Sequence, residues 1–242
     1  MMHSREQADL GAGDAEAIAK AHAVYTPFAL RLYDLVVHGL SSRVAWRCPT
    51  SRLTALYEAN LSANHLEAGV GTGLFLDRAG THFDRLVLAD INTHCLDRAV
   101  RRLARFQPRS WQANLLAPLP PDPAPFDSVG LTFVLHCLPG TMAEKLVAVD
   151  HLKPLMGEGA TLFGATILGH GIEPNAAARA LLDLYNEKGV FNNRADDLES
   201  LARGLESRFG RVEIEQHGLV ALFTPAERRG GIASGFPPWD GH

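Results

Sequence analysis

The sequence predicts an α/β protein. It has a seven-stranded, mostly parallel sheet, helices on both faces, an antiparallel last strand and a helical cap ahead of the first strand. Three observations carry this reading. Five short apolar runs are separated by segments of helical or loop character, and strands joined by crossovers lie parallel. Alternate glycines follow the first run, at Gly69, Gly71 and Gly73. The last two runs, Val212 to Glu215 and Leu219 to Phe223, meet at Gly218 with no helix between them. That pattern makes a hairpin, and so one antiparallel strand.

The elements follow in order. Residues 1–13 form a loose arm around Gly11 and Gly13. From Asp14 to Val37 the pattern is helical but broken at Tyr25-Thr26-Pro27. Proline lacks a donor and clashes inside a helix, so two helices meet there at a bend. A third helix runs from Thr50 to Asn60 behind Pro49. Residues 1–61 together make the arm and cap. Strands are then predicted at 65–70, 85–90, 110–114, 126–134 and 159–168, with the hairpin last. Helices are predicted at 73–79, after Asn92, and at 141–153, 174–188 and 195–207. In the helix capped by Asn92, residues Leu96, Ala99, Val100 and Leu103 recur at one buried face. Residues 117–125 are proline-rich loop. The domain built from these elements spans 62–224, and the Gly-, Pro- and Arg-rich stretch 225–242 is predicted to be a flexible tail.

Composition sets the function classes aside. Of 242 residues, 46% are hydrophobic and 21% charged, an ordinary globular mix with enough length for a large core. The balance 23 − 27 = −4 lacks the basic surplus of nucleic-acid or anionic-membrane binders. Arg98, Arg101, Arg102 and Arg105 read as a solvated helix surface. No apolar run reaches the roughly 18 residues of a spanning helix. The first residues are polar and acidic, without the apolar centre of a signal peptide. The three cysteines, Cys48, Cys95 and Cys137, are scattered, as in a reducing cytoplasm. No His-x-x-x-His, Cys-x-x-Cys or carboxylate cluster suggests a metal.

Ligands of such sheets sit at the carboxyl ends of the strands. Strand one ends in HLEAGVGTG, residues 65–73, where glycines let a ligand approach the backbone and the next helix points its N–H groups at it. The strict dinucleotide fingerprint needs a small residue at position 74, and Leu74 stands there instead, which counts against a nicotinamide oxidoreductase. Strand two ends in Asp90, 90 − 69 = 21 residues after Gly69, where a carboxylate accepts hydrogen bonds from both hydroxyls of a ribose. Asn114 closes strand three. An amide there meets an adenine amino group through its oxygen, while Leu115 packs on the ring.

HLEAGVGTG, LVLADIN, WQANLL and FDSVGLTFVLHCLPG stand in this order between His65 and Leu168. With them the chain resembles the class I S-adenosylmethionine-dependent methyltransferases of the small-molecule type. The resemblance implies a Rossmann-like sheet that binds S-adenosylmethionine and releases S-adenosylhomocysteine. It implies that Glu67, Ala68, Gly69, Gly71 and Gly73 hold the methionine part, Asp90 with Ile91 the ribose, and Asn114 with Leu115 the adenine. Asn at 114, where the family usually has Asp, is a mild departure. YTPFALRLYD, residues 25–34, looks like the family's aromatic cap, whose Tyr25 and Tyr33 would reach the carboxylate or the sulfonium. Thr132 and Phe133 would line the reaction pocket. His136 is the candidate acid or base, because imidazole titrates near neutral pH. His170 and Tyr185, with Phe191, would meet the acceptor. The motif Asn/Asp-Pro-Pro-Tyr of adenine- and glutamine-modifying relatives is missing.

The implied reaction is in-line methyl transfer to an O, N or S atom of a small molecule, in secondary metabolism by analogy. A base is needed only where the acceptor must lose a proton. The alternatives are a non-methylating reaction on the same fold, such as a cyclisation, and a non-catalytic nucleoside-binding regulator. A homodimer is left open. Removing residues 228–242 is expected to move the melting temperature by less than about 3 °C, the equivalent of roughly 1 kcal/mol at this size. A larger fall in a calorimetric scan means that the tail packs on the domain.

Overall fold

The computed structural model describes residues 45–79, 82–122 and 124–226. The predicted arm, the bent helices with Tyr25 and Tyr33, and the tail from 227 onward lie outside the described residues. The elements are α1 (Thr50–Asn60), β1 (Asn64–Ala68), α2 (Leu74–Ala79), β2 (Arg85–Asp90), α3 (Thr93–Arg102), β3 (Arg109–Gln112) and β4 (Phe126–Thr132). They continue with α4 (Met142–Lys145), α5 (Val147–Leu152), β5 (Met156–Ile167), α6 (Ala176–Glu187), α7 (Leu198–Phe209), β6 (Arg211–His217) and β7 (Val220–Ala226). No helix among the described residues is long and apolar enough to cross a membrane.

The sheet order is β3-β2-β1-β4-β5-β7-β6. The first five strands are parallel, and β7 runs antiparallel to both β5 and β6. This is the predicted Rossmann-like arrangement. Strand residues alternate between two apolar layers. Leu86, Leu88, Phe163, Ala165 and Ile167 face a layer that includes Leu53, Leu56 and Tyr57 of α1, Phe75 of α2 and Leu96 of α3. Leu66, Val87, Ala89, Val129 and Leu162 face the opposite layer, with Val149 of α5 and Leu201 and Leu205 of α7. A parallel sheet covered on both faces explains why its strands read as near-continuous apolar runs.

Several boundaries differ from the sequence reading. β3 ends at Gln112, because Asn114 turns its side-chain oxygen onto the N–H of Leu116 and closes a turn. β4 ends at Thr132, because Phe133 adopts φ +60° and a 3-10 turn follows at Leu135–Cys137. The helix predicted at 141–153 is two helices that meet at Leu146. β5 begins at Met156 but pairs irregularly, from Phe126↔Met156 to Ser128↔Thr161, and Gly159 in that interval has φ +69°. β7 also runs to Ala226, two residues past the predicted domain edge at 224.

A buried ion pair fixes the segment between α6 and α7. Lys145 is fully buried and Asp196 is 1% exposed. The ammonium donates to both Asp196 oxygens at 2.7 Å and to the carbonyl of Asn192, which uses all three of its N–H groups. Burial pulls Lys145 below its ordinary pKa and lifts Asp196 above its own, and their mutual hydrogen bonds oppose both shifts. Asn192 donates its N–H to the carbonyl of His136 at 2.8 Å, and Asn193 donates its amide to the carbonyl of Ile167 at 2.9 Å. The segment is thereby tied to the ends of β4 and β5. Lys145→Met is expected to cost about 3–5 kcal/mol in urea unfolding, because it strands a buried carboxylate, and adding Asp196→Leu should recover most of that loss. Equal losses in the single and double variants would show that the pair is not the cause.

Candidate functional site

The loop after β1 is shaped by close approach on one side and open space on the other. Gly69 donates its N–H to the carbonyl of Ala89 at 2.7 Å. A Cβ there would stand 2.2 Å from a methyl of Val134, so the loop presses on the segment after β4. Gly71 has φ +54°, and a Cβ there would meet no atom within 4 Å. The loop therefore presents bare backbone to a groove. A Cβ at Gly73 would press on Leu103 at 3.0 Å, where α2 meets the end of α3. Arg102 donates to the carbonyl and the hydroxyl of Thr72, both at 3.0 Å, and holds the loop from behind.

Asp90 joins this loop to the turn after β2. One carboxylate oxygen accepts from the N–H of Gly71 at 3.1 Å and the other from the N–H of Asn92 at 2.9 Å. Asn92 then caps α3 by accepting from the N–H of His94, as the sequence predicts. Ile91 is half-buried between them. After β3, Leu115 is buried and the Asn114 amide nitrogen is buried without a partner among the described residues. Its oxygen accepts from the N–H of Leu116, and its donor end is the one without a partner.

Ala68 is fully buried at the end of β1. Glu67 is buried too, and both its oxygens are engaged. One accepts from the Tyr57 hydroxyl at 2.6 Å, and the other faces His65 Nε2 at 2.9 Å. The Thr132 hydroxyl lies beside the Tyr57 phenol, buried and without a well-formed hydrogen bond. Burial, then the charge of Glu67, hold the Tyr57 phenol well above its ordinary pKa. Tyr57 reads from sequence as core packing. Its ring does pack, 5.4 Å from Phe75 and 5.0 Å from Phe163, and its hydroxyl reaches Glu67.

A second wall is aromatic. Phe191 lies 4.5 Å from His136, 4.9 Å from Tyr185 and 6.0 Å from Trp46 between ring centroids. Phe133 lies 5.9 Å from His136 and 6.3 Å from Phe75. Its positive φ is costly for a bulky residue and turns the chain sharply at the strand end. Burial raises the pKa of the half-buried Tyr185 phenol. His170 is exposed, its N–H bonded to the carbonyl of Asp196.

His136 is buried, and burial, followed by the Lys145 charge, lowers its pKa from 6.5 to about 3. The N–H of Ile167 points at its Nδ1 at 3.4 Å, so the ring proton sits on Nε2. His136 thus offers a neutral donor rather than a base. Among the described residues no three His, Cys, Asp or Glu side chains are grouped to hold a metal. Sequence reasoning missed His65, Lys145 and Asp196. The only signal for the first was a polar pair, His65 and Glu67, on one face of an otherwise apolar strand.

Comparison with known proteins fits this geometry. A family model described as a methyltransferase domain matches residues 66–162. The demethylluteothin O-methyltransferase of Streptomyces thioluteus is 34% identical over 210 residues, covering 86% of this chain and 91% of that protein. The chain belongs to this methyltransferase family. The physcion biosynthesis cluster O-methyltransferase of Aspergillus chevalieri is 36% identical over 205 residues, 83% of this chain and 92% of that one. The crystal structure of the N-methyltransferase NodS from Bradyrhizobium japonicum WM9, in complex with S-adenosyl-L-homocysteine, shares the fold. Its TM-score is 0.58 at 16% identity, with 89% of this chain and 98% of that one covered.

The state of His136 in this methyltransferase has a measurable consequence. In the unfolded chain it titrates at the ordinary 6.5, and in the folded chain at about 3. Below pH 6.5 the unfolded chain binds a proton that the folded one does not. Stability is therefore expected to fall as pH drops from 6.5 toward 3. Urea midpoints over that interval should slope less steeply in His136→Leu, and an identical slope would refute the buried neutral imidazole.

Proposed function

We propose that this methyltransferase uses S-adenosylmethionine to methylate a hydroxyl group on a small, flat, aromatic molecule. The observation that carries the reading is the open space beside the bare backbone of Gly71, whose N–H is bonded to the carboxylate of Asp90. The residues around it suit an adenosyl ligand. Asp90 ends β2 where a carboxylate would meet ribose hydroxyls, and Ile91 and Leu115 would offer apolar surface to a purine. The buried Asn114 amide lacks an acceptor, which a ring nitrogen of adenine would supply. Gly69, Gly71 and Gly73 leave room beside the loop for the methionine portion, with Glu67 and Ala68 at its base.

When bound, the cofactor supplies an electrophilic methyl group on a sulfonium. The chain's own part is to hold the acceptor in line and to exclude water. Phe133, Phe191 and Tyr185 provide flat apolar surface, and the Nε2–H of neutral His136 is a donor that would orient an acceptor oxygen. The oxygen preference rests on the Streptomyces and Aspergillus relatives, both named O-methyltransferases. The acceptor as a secondary metabolite rests on the same names. The acidic balance, −4, argues against nucleic acid as acceptor.

The test is release of S-adenosylhomocysteine, followed by mass spectrometry, with a panel of phenols and naphthols. A product gain of one methyl supports the reading, and cofactor binding without turnover on any hydroxylated aromatic would end it. Asp90→Ala is expected to weaken S-adenosylmethionine binding at least about tenfold, through loss of charge-assisted ribose bonds. An unchanged calorimetric Kd would remove Asp90 from the ribose site.

A further inference from the structure

A methyl group that arrives on a hydroxyl oxygen displaces a proton, and His136 is poorly suited to take it. Its Nδ1 faces the N–H of Ile167, and its pKa lies near 3. A different set of groups leads away from the site. Tyr57 donates to Glu67 at 2.6 Å, Glu67 meets His65 Nε2 at 2.9 Å, and His65 Nδ1 meets the Ser128 hydroxyl at 2.8 Å. Ser128 meets the Ser62 hydroxyl at 2.8 Å, and Ser62 is half-buried just before β1, at the amino-terminal ends of the strands. Tyr57, Glu67, His65 and Ser128 are all buried.

Hydrogen-bond accounting orients the chain. Ser62 donates its hydroxyl proton to the carbonyl of Asn64 at 2.8 Å, so its oxygen accepts from Ser128. Ser128 accepts in turn from His65 Nδ1–H. His65 Nε2 and Glu67 then face each other across 2.9 Å and share one proton. At the inner end, the Thr132 hydroxyl beside Tyr57 lacks a well-formed bond and has lone pairs free to accept. Space for the carboxylate is built in, since a Cβ at Gly130 would stand 2.3 Å from a Glu67 oxygen.

We propose that Thr132, Tyr57, Glu67, His65, Ser128 and Ser62 form a proton relay that carries the acceptor's hydroxyl proton from the reaction site to the amino-terminal ends of the strands. The proposal rests on the hydroxyl-acceptor reading above. As the acceptor oxygen bonds the methyl carbon and the carbon–sulfur bond breaks, the O–H proton passes to Thr132. Thr132 passes its own to Tyr57, and Tyr57 passes its own to the near oxygen of Glu67. The proton shared at the far oxygen moves onto His65 Nε2, and Nδ1 hands one to Ser128, Ser62 and water. Each group ends with as many protons as it began, and one proton leaves. Tyr57 is never ionised, in keeping with its raised pKa. Thr132 is the catalytic residue of the set, and the others act through it.

The experiment uses the full chain and the phenol or naphthol it turns over best. Tyr57→Phe keeps the ring and cuts the relay, and kcat is expected to fall at least about tenfold below the acceptor's own pKa. The loss should vanish above that pKa, where the acceptor arrives ionised. The affinity for S-adenosylhomocysteine, measured by calorimetry, should not change. Ser128→Ala lies about 13 Å along β4 from Thr132 and cuts only the outlet. It should allow one fast methyl transfer per site and then slow turnover, and it carries the test alone if Tyr57→Phe does not fold. A wild-type solvent isotope effect involving several protons should shrink in both variants. Equal losses at every pH, or no loss and no burst, overturn the relay and leave the hydroxyl-acceptor reading standing. A wild type that methylates only thioethers or tertiary amines, or no hydroxylated aromatic, overturns both.

Discussion

The Asp90 carboxylate is where the architecture of the groove is decided. Its two oxygens take backbone N–H groups from two different connections, Gly71 after β1 and Asn92 after β2. Hydrogen bonds to an ionised acceptor are about twice as strong as neutral ones, so a single side chain holds both turns in place. The consequences spread outward. The loop is held with Gly71 in a left-handed conformation, Gly73 is set against Leu103, and Asn92 is placed to cap α3. A second clamp, Arg102 on Thr72, acts on the same loop from the helix behind it.

The centre of the sheet carries the opposite kind of feature. His65 and Glu67 occupy one face of β1, where neighbouring strands present Leu86, Leu88 and Phe163. Burying a carboxylate there is costly unless both oxygens are satisfied. Tyr57 comes from α1, His65 from the same strand, and Gly130 on β4 yields the room. Three separate elements thus converge on one side chain. Replacing such a buried polar set by apolar residues of similar volume is often neutral or stabilising.

Much of this was legible from residue order alone, and the exceptions are instructive. Parallel strands buried on both faces announce themselves as apolar runs, and the hairpin at Gly218, with φ +58°, follows from one residue. The glycine loop, Asp90 and Asn92 were readable because each acts through backbone groups a few residues away or across one strand. The end of β4 was not, because a left-handed phenylalanine is set by what surrounds it and leaves no mark in propensity. Nor was the free end of Asn114, since the choice between oxygen and nitrogen depends on the turn it closes. Lys145 and Asp196 lie 51 positions apart, and Ser128 meets His65 across 63, so only the fold brings them together. Tyr57 was half read: its ring was correctly placed in the core, and its hydroxyl was overlooked.

The outermost strand has a bearing on how copies of the molecule meet. β6 turns Val212 and Ile214 inward and shows Arg211, Glu213 and Glu215 to solvent, with Arg211 paired to Glu213 and His217 to Glu215. Charged side chains in register along an open strand discourage another strand from docking there. A ribbon that continues from one molecule to the next is disfavoured on this side of the sheet.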